Sequence, residues 1–306
     1  MKLEAPCEIG RKMDALGLWD ALMSYNFAVR PKGTVLPYFC TALRDNGRSV
    51  KVRFMMIEGW RTFHDFLCTR VDRFYGYYQT PMEMPHFELV IAKDGGVAVF
   101  RHDQCYMPRP VKDSEIELVS KILWESYGVM MRIETDRALP MRFADSKAMF
   151  SRVEVEKDRW EDSPLAIPDP QPYVEKITIP AELVKKAKDL PFEASECLEL
   201  TFALKLGIVT REPRPRCCYR LLAIDGKGAT VMDDRLSANP DGGLKAMWEG
   251  LAAHVLRRIV ERGRVPGAIK VPSGRIFRML RPLCMELPFK LSMHDSLPRL
   301  EAAFGI

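Results

Sequence analysis

CYRLLAIDGKGATVMDDRLSAN, residues 218 to 239, is an apolar run that ends at Asp225, passes two glycines and resumes as a second apolar run. Asp225 is either a catalytic carboxylate at the end of a strand or the corner of a β-hairpin. Aspartate opens tight turns because its side chain accepts from amides further along, and glycine takes the positive φ such turns need. The pattern recurs in HFELVIAKDGGVAVFRHDQCYMP, which starts at residue 86 and carries Asp94-Gly95-Gly96 between two apolar runs. Pro240 follows the first stretch and Pro108 ends the second, and each precedes a helix-like segment, containing Trp248 and Trp124 respectively. The parallel predicts an internal duplication of one hairpin-helix unit. Asp225 is then first a hairpin corner, with a catalytic role held in reserve.

Working outward, TVLPYFCTALRDNGRSVKVRFMMI reads as another hairpin, with Asp45-Asn46-Gly47 as its turn. In GWRTFHDFLCTRVDRF, residues Trp60, Phe63, Leu67, Val71 and Phe74 recur at three- and four-residue spacing and define one helix face. SEIELVSKILWESYG reads as a helix opened by a Ser114/Glu117 capping box and closed at Gly128. Five prolines in residues 157 to 180 interrupt any ladder or helix, which places a linker there. The expected organisation is an N-terminal α+β domain over 1–156, a linker over 157–180 and a C-terminal α/β domain over 181–306. Within the last, a helix over 181–188 precedes LELTFALKLGIVT as a long strand or strand pair. The opening hairpin, a helix through MWEGLAAHVLRRIVERG, the strand AIKVP, the helix RIFRMLRPLCMEL, the strand PFKLSM and the helix SLPRLEAAFG then follow.

A chain of 306 residues with 47% hydrophobic content can build two cores. No apolar stretch approaches the roughly 20 residues that cross a bilayer, and MKLEAPCEIGRKMD lacks the apolar centre of a secretory signal. Eight cysteines with no CxxC spacing suit free thiols. Together these features predict a cytoplasmic protein that does not enter a membrane. A net charge of +5 is too small to imply a nucleic-acid partner by itself.

From Leu198 onward, YRLLAID, LRRIVERGRVPGAIKV and RMLRPLCMELPFKLSMHDSLPRLEAA resemble an uncharacterised bacterial family, a domain of unknown function. The N-terminal hairpin with MMIEGWRTFHDFL resembles its usual partner domain. This resemblance implies an architecture and no reaction. At fold level the C-terminal order also resembles the ribonuclease H and integrase superfamily, with a mixed sheet flanked by helices. In that superfamily an acid on the first strand, one after the fourth and one on the last helix hold two divalent ions. The resemblance places Asp225 at the first position and Asp295 or Glu301 at the third, but Pro272 and Ser273 stand at the second. A site lacking one hard oxygen donor is degenerate, and fold alone grants no activity.

The remaining candidates are weaker still. Asp233-Asp234, the His64/Cys68 and His102/Cys105 pairs and the vicinal Cys217-Cys218 offer too few ligands for a metal and read as surface or core. GxSxG, HExxH, GxxxxGK[ST] and GxGxxG are all missing. No cofactor or metal is therefore expected, and the balance lies against an enzyme. The alternative is a metal-dependent nuclease or phosphotransfer enzyme centred on Asp225. Arg257, Arg258, Arg262, Arg264, Lys270, Arg275, Arg278 and Arg281 crowd a stretch with Glu261 as its one acid. They form a candidate anion or nucleic-acid surface, with Ser273-Gly274 at a helix start beside Arg275 and Arg278. A solvated basic face is the plainer reading. A protein partner engaging Tyr75, Tyr77 and Tyr78 is a further alternative.

Overall fold

The computed structural model describes residues 4–44, 49–69, 84–143, 147–168, 176–209, 213–237 and 243–304. Residues 45–48, with the Asn46-Gly47 turn, and the stretch with Val71, Phe74, Tyr75, Tyr77 and Tyr78 lie outside the described residues. The chain forms two compact units. Both are mixed sheets flanked by helices, as an α+β reading requires.

The first unit is built on strands β1 (Phe27–Arg30), β2 (Tyr38–Arg44), β3 (Val50–Glu58), β4 (His86–Ala92), β5 (Val97–His102), β6 (Arg109–Pro110), β7 (Ala148–Glu156) and β8 (Arg159–Ala166), in the order β6-β5-β4-β3-β2-β1-β7-β8. All neighbours are antiparallel except β1 and β7. Alternation of side chains along the strands gives the sheet two apolar faces. On one, Phe54, Met56, Leu89 and Ile91 meet Met13 of α1 (Glu4–Leu16) and Val119, Ile122 and Leu123 of α4 (Asp113–Thr135). On the other, Phe39, Met55 and Ile57 meet Phe63 and Phe66 of α3 (Trp60–Thr69), with Phe39 stacked on Phe63 at 4.7 Å. A short helix α2 (Trp19–Ser24) buries Trp19 and Leu22.

The Asp94 turn forms as expected: Gly95 sits at φ 85° and Asp94 Oδ1 accepts from Gly96 N at 3.0 Å. Helix α4 differs from its expected limits. It starts one residue before Ser114, where the Glu115 carboxylate accepts from Lys112 N at 2.8 Å, and it continues past Gly128 to Thr135. Packing of Val129, Met130 and Ile133 against the sheet outweighs the glycine's weak helix preference. The segment expected to be a linker over 157–180 also needs correction, because its Arg159–Ala166 portion is β8. Pro164 is tolerated there because β8 is the sheet edge, with one row of backbone groups left unpaired by any strand.

The second unit holds β9 (Phe192–Val209), β10 (Cys217–Ile224), β11 (Thr230–Ser237), β12 (Val265–Val271) and β13 (Lys290–Met293), ordered β11-β10-β9-β12-β13. Strand β9 pairs antiparallel with β10 and parallel with β12, so it is the central strand. Strand β10 pairs antiparallel with β11, and β12 parallel with β13. Helices α5 (Ala181–Lys188), α6 (Gly243–Glu249), α7 (Leu251–Arg262) and α8 (Gly274–Glu286) share one core with Leu198, Leu200 and Phe202 of β9. Trp248 lies at its centre, edge-on to Phe202 at 4.9 Å. The two tryptophans in the repeated pattern therefore differ, since Trp124 is half exposed. Helix α9 (Pro298–Phe304) packs Leu297 and Leu300 on Leu222 and Ile224 in a separate cluster.

Two glycines separate packing from propensity. A Cβ at Gly267, where the β9–β12 register shifts, would lie 2.2 Å from the Ala194 carbonyl oxygen, whereas one at Gly128 would meet nothing within 4 Å. Thermal unfolding is expected to show Gly267→Ala destabilised by about 1–3 kcal/mol and Gly128→Ala stabilised by roughly 0.5–1 kcal/mol.

Candidate functional site

Asp225 follows β10 and occupies the turn between the second and third strands of the C-terminal sheet. Its Oδ1 accepts from Lys227 N and Ala229 N, both at 2.9 Å, and Gly228 takes φ 86°. The amide of Ala229, before that of Lys227, holds the exposed carboxyl below its usual range, and the side-chain charges that add to this are Lys227 and Arg262. These surroundings stabilise a turn, and among the described residues Asp225 belongs to no cluster of three or more side chains that could hold a metal ion.

The buried carboxylate in the middle of the first strand is Glu199, which sequence reasoning passed over. It lies in the middle of β9, opposite Ile224 on β10 and Lys270 on β12, and is buried. Its Oε1 accepts from Arg299 Nη1 at 2.7 Å, while Oε2 accepts from the Arg299 and Leu300 amides at 3.1 and 3.3 Å. One buried charge is thus met by a guanidinium and by free amides at the start of α9. Beyond β12, Ser273 is buried as the N-cap of α8 and accepts from Ile276 N at 3.2 Å, so its hydroxyl is already engaged. Glu301 accepts from Leu297 N at 2.9 Å, and Asp295 is exposed.

The basic stretch separates into engaged and unengaged cations. Arg262 and Arg264 both reach Glu196 of β9, at 2.7 and 3.0 Å, and Arg258 reaches Asp234 and Glu261 at 3.1 and 2.6 Å. Arg275 lies 3.9 Å over the Trp248 ring, where its charge faces the π cloud. Asp233 takes Arg220 at 2.7 Å, so the Asp233-Asp234 pair is used in internal ion pairs. Arg257 on α7 and Arg278 and Arg281 on α8 are exposed and bond to no described residue; Lys270 is half-buried and likewise makes no such bond. The arginines lie on two neighbouring helices, whereas Lys270 projects from the opposite face of β12, the face of Glu199.

A second cluster lies in the first unit. His86 and Glu88 occupy one face of β4, and the hairpin register sets His102 of β5 opposite His86. All three are buried, and one ligating atom from each lies within 4.8 Å of the others. His86 Nδ1 lies 2.8 Å from the Met84 carbonyl oxygen, and Glu88 Oε2 lies 2.8 Å from His102 Nε2. Glu88 Oε1 accepts from Arg53 at 2.9 Å. Burial holds His86 down at about 3, with a further push from the His102 charge. Glu88 sits at about 2: burial works to raise it, and the hydrogen bond and charge of His102 with the charge of Arg53 overcome that effect. The signal for this cluster was present in HFE and FRH, because the Asp94 turn fixes which residues face each other. Cys105, Cys217 and Cys218 are buried and form no disulfide among the described residues.

Among known families, a model described as Domain of unknown function (DUF6930) matches residues 183–305, less than half of the chain and within the second unit. No curated protein and no solved structure matches the chain significantly. Among the described residues, no helix is long and apolar enough to cross a membrane.

Two outcomes follow from these charges. Glu199→Gln removes the ionised partner of Arg299 and is expected to cost about 1–3 kcal/mol in thermal unfolding, whereas Asp225→Asn preserves the turn acceptor and leaves the midpoint almost unchanged. Acidification acts through His86 and Glu88. A histidine whose folded pKa falls from 6.5 to about 3 binds its proton preferentially when unfolded, so its stabilising effect is complete above 6.5 and lost as pH falls towards 3. Glu88 adds a loss between 4.5 and about 2. Melting temperatures from pH 7 to 4.5 are therefore expected to fall in the native chain and to fall less in His86→Gln.

Proposed function

We propose that this protein binds and does not catalyse, and that its second unit is ribonuclease H-like and contacts nucleic acid through the outer surface of α7 and α8. The strand order third-second-first-fourth-fifth, antiparallel through the first three and parallel through the last two, supports the fold-level resemblance. The observation that carries the non-catalytic reading is the pairing of Glu199 with Arg299. On a sheet of this order the central carboxylate is the natural first metal ligand, and here a guanidinium and two amides occupy its oxygens. Two metal ions need several uncompensated carboxylates close together, and the position after the fourth strand carries Pro272 and the capping Ser273.

Arg257, Arg278 and Arg281 supply three exposed cations for phosphate contacts. Arg258, Arg262, Arg264 and Arg275 position the surface through internal pairs. An N-terminal α+β domain over 1–156, to whose sheet β8 adds an edge strand, joined by the remaining proline-rich segment to a C-terminal domain over 181–306, is part of the same proposal. Two Asp-Gly hairpins support duplication of a hairpin-helix unit, while the unlike burial of Trp124 and Trp248 weighs against it. Cytoplasmic residence fits the seven described cysteines that form no disulfide, and a bacterial source rests on the family resemblance.

Fluorescence anisotropy with labelled single-stranded and duplex RNA and DNA tests the reading. Binding is expected at 50 mM salt and, for three phosphate contacts, a roughly 40-fold loss by 200 mM. Arg257→Glu/Arg278→Glu/Arg281→Glu is expected to abolish it with an unchanged melting temperature. No binding of any of these nucleic acids at 50 mM salt contradicts the proposal.

A further inference from the structure

The buried His86, Glu88 and His102 cluster has more lone pairs than its hydrogen bonds use. Met84 offers a carbonyl oxygen, so His86 Nδ1 must donate to it, and Nε2 is then left with a bare lone pair. That atom is buried with no hydrogen-bond partner, as is His102 Nδ1. An unpartnered polar atom in a packed sheet is costly unless something binds it. The surrounding bonds are those that orient metal ligands. A backbone carbonyl fixes the tautomer of His86, and Arg53 holds the outer oxygen of Glu88. The two imidazoles stack nearly parallel, 17° apart with ring centres separated by 4.1 Å, on directly paired residues, so one ring must turn for both lone pairs to meet at a single ion.

We propose that His86 Nε2, Glu88 Oε2 and His102 Nε2 form a binding site for one divalent transition ion of the zinc class. His102 Nε2 and Glu88 Oε2, 2.8 Å apart, are already close to the spacing of about 3.3 Å between neighbouring ligands of a tetrahedral ion with bonds near 2.0 Å. The ion takes the place of the hydrogen between these atoms, which moves to the unpartnered His102 Nδ1 so that the ring ligates as a neutral imidazole. Two imidazoles and one carboxylate suit zinc, cobalt or ferrous iron; magnesium and calcium prefer all-oxygen shells. Three protein ligands leave the ion an open coordination position.

The test uses the full chain, stripped with chelator and titrated with Co²⁺ as the spectroscopic probe. The expected result is one equivalent of Co²⁺ with visible d–d bands, displaced by Zn²⁺ and not by Mg²⁺. Glu88→Gln and His102→Gln are expected to weaken binding tenfold or more, while His64→Gln, His254→Gln and His294→Gln leave it unchanged. Should the first two variants fail to fold, ring ¹⁵N spectra of histidine-labelled native protein give the answer, with His86 and His102 shifted by Zn²⁺ and the other three unaffected. No stoichiometric Co²⁺ binding, binding that survives Glu88→Gln, or Zn²⁺ shifts confined to other histidines overturns the proposal and leaves a purely hydrogen-bonded cluster.

Discussion

Glu199 sets the terms for the second unit. It is a carboxylate in the middle of the central strand, flanked by Leu198 and Leu200, whose side chains point into the main core on the other face. A charge in that position must be compensated where it stands. The compensation comes from Arg299 and the amides that begin α9, and the same contact anchors that helix through Leu297 and Leu300 over Leu222 and Ile224. Closure of the sheet's second face and neutralisation of its central acid are one event. On the proposed ribonuclease H-like reading, a position that would draw divalent cations is completed by the chain's own cation, and this is what favours binding over catalysis in that proposal.

The charge distribution around it follows the same logic. Glu196, nearer the start of β9, fixes Arg262 and Arg264, and Asp234 fixes Arg258. What looked in sequence like a continuous basic stretch is partly an internal framework, with three exposed arginines that bond to no described residue. Half-buried ion pairs of this kind orient surfaces more than they stabilise them.

Local chemistry was legible in the sequence and distant pairing was not. Asp94 and Asp225 could be read as turn corners because the acceptor, the amides and the glycines lie within a few residues. The helix over 181–188 and the strand around AIKV were readable for the same reason. Strands β7 and β8 were hidden because β7 joins the sheet by parallel pairing with β1, far away in the chain, and because Pro164 suggested a break that an edge strand tolerates. Helix α1 was treated as a polar N-terminus, since its buried Ile9 and Met13 stand among charged neighbours. The superfamily resemblance placed Asp225 at the first-strand position, whereas in the structure it follows β10, the second strand of its sheet. Glu199 could not be singled out, since its partner Arg299 is 100 residues away. The His86, Glu88 and His102 cluster was accessible through hairpin register, yet a buried histidine is more often core than ligand.

The most direct measurement of the central claim is the fate of a labelled oligonucleotide incubated with the full chain in Mg²⁺, in Mn²⁺ and in EDTA at low salt. The account expects an intact strand and the same bound fraction in EDTA as at equal ionic strength with either metal. Metal-dependent cleavage that disappears in Glu199→Gln would contradict it, because Glu199 would then be serving a cation and not Arg299.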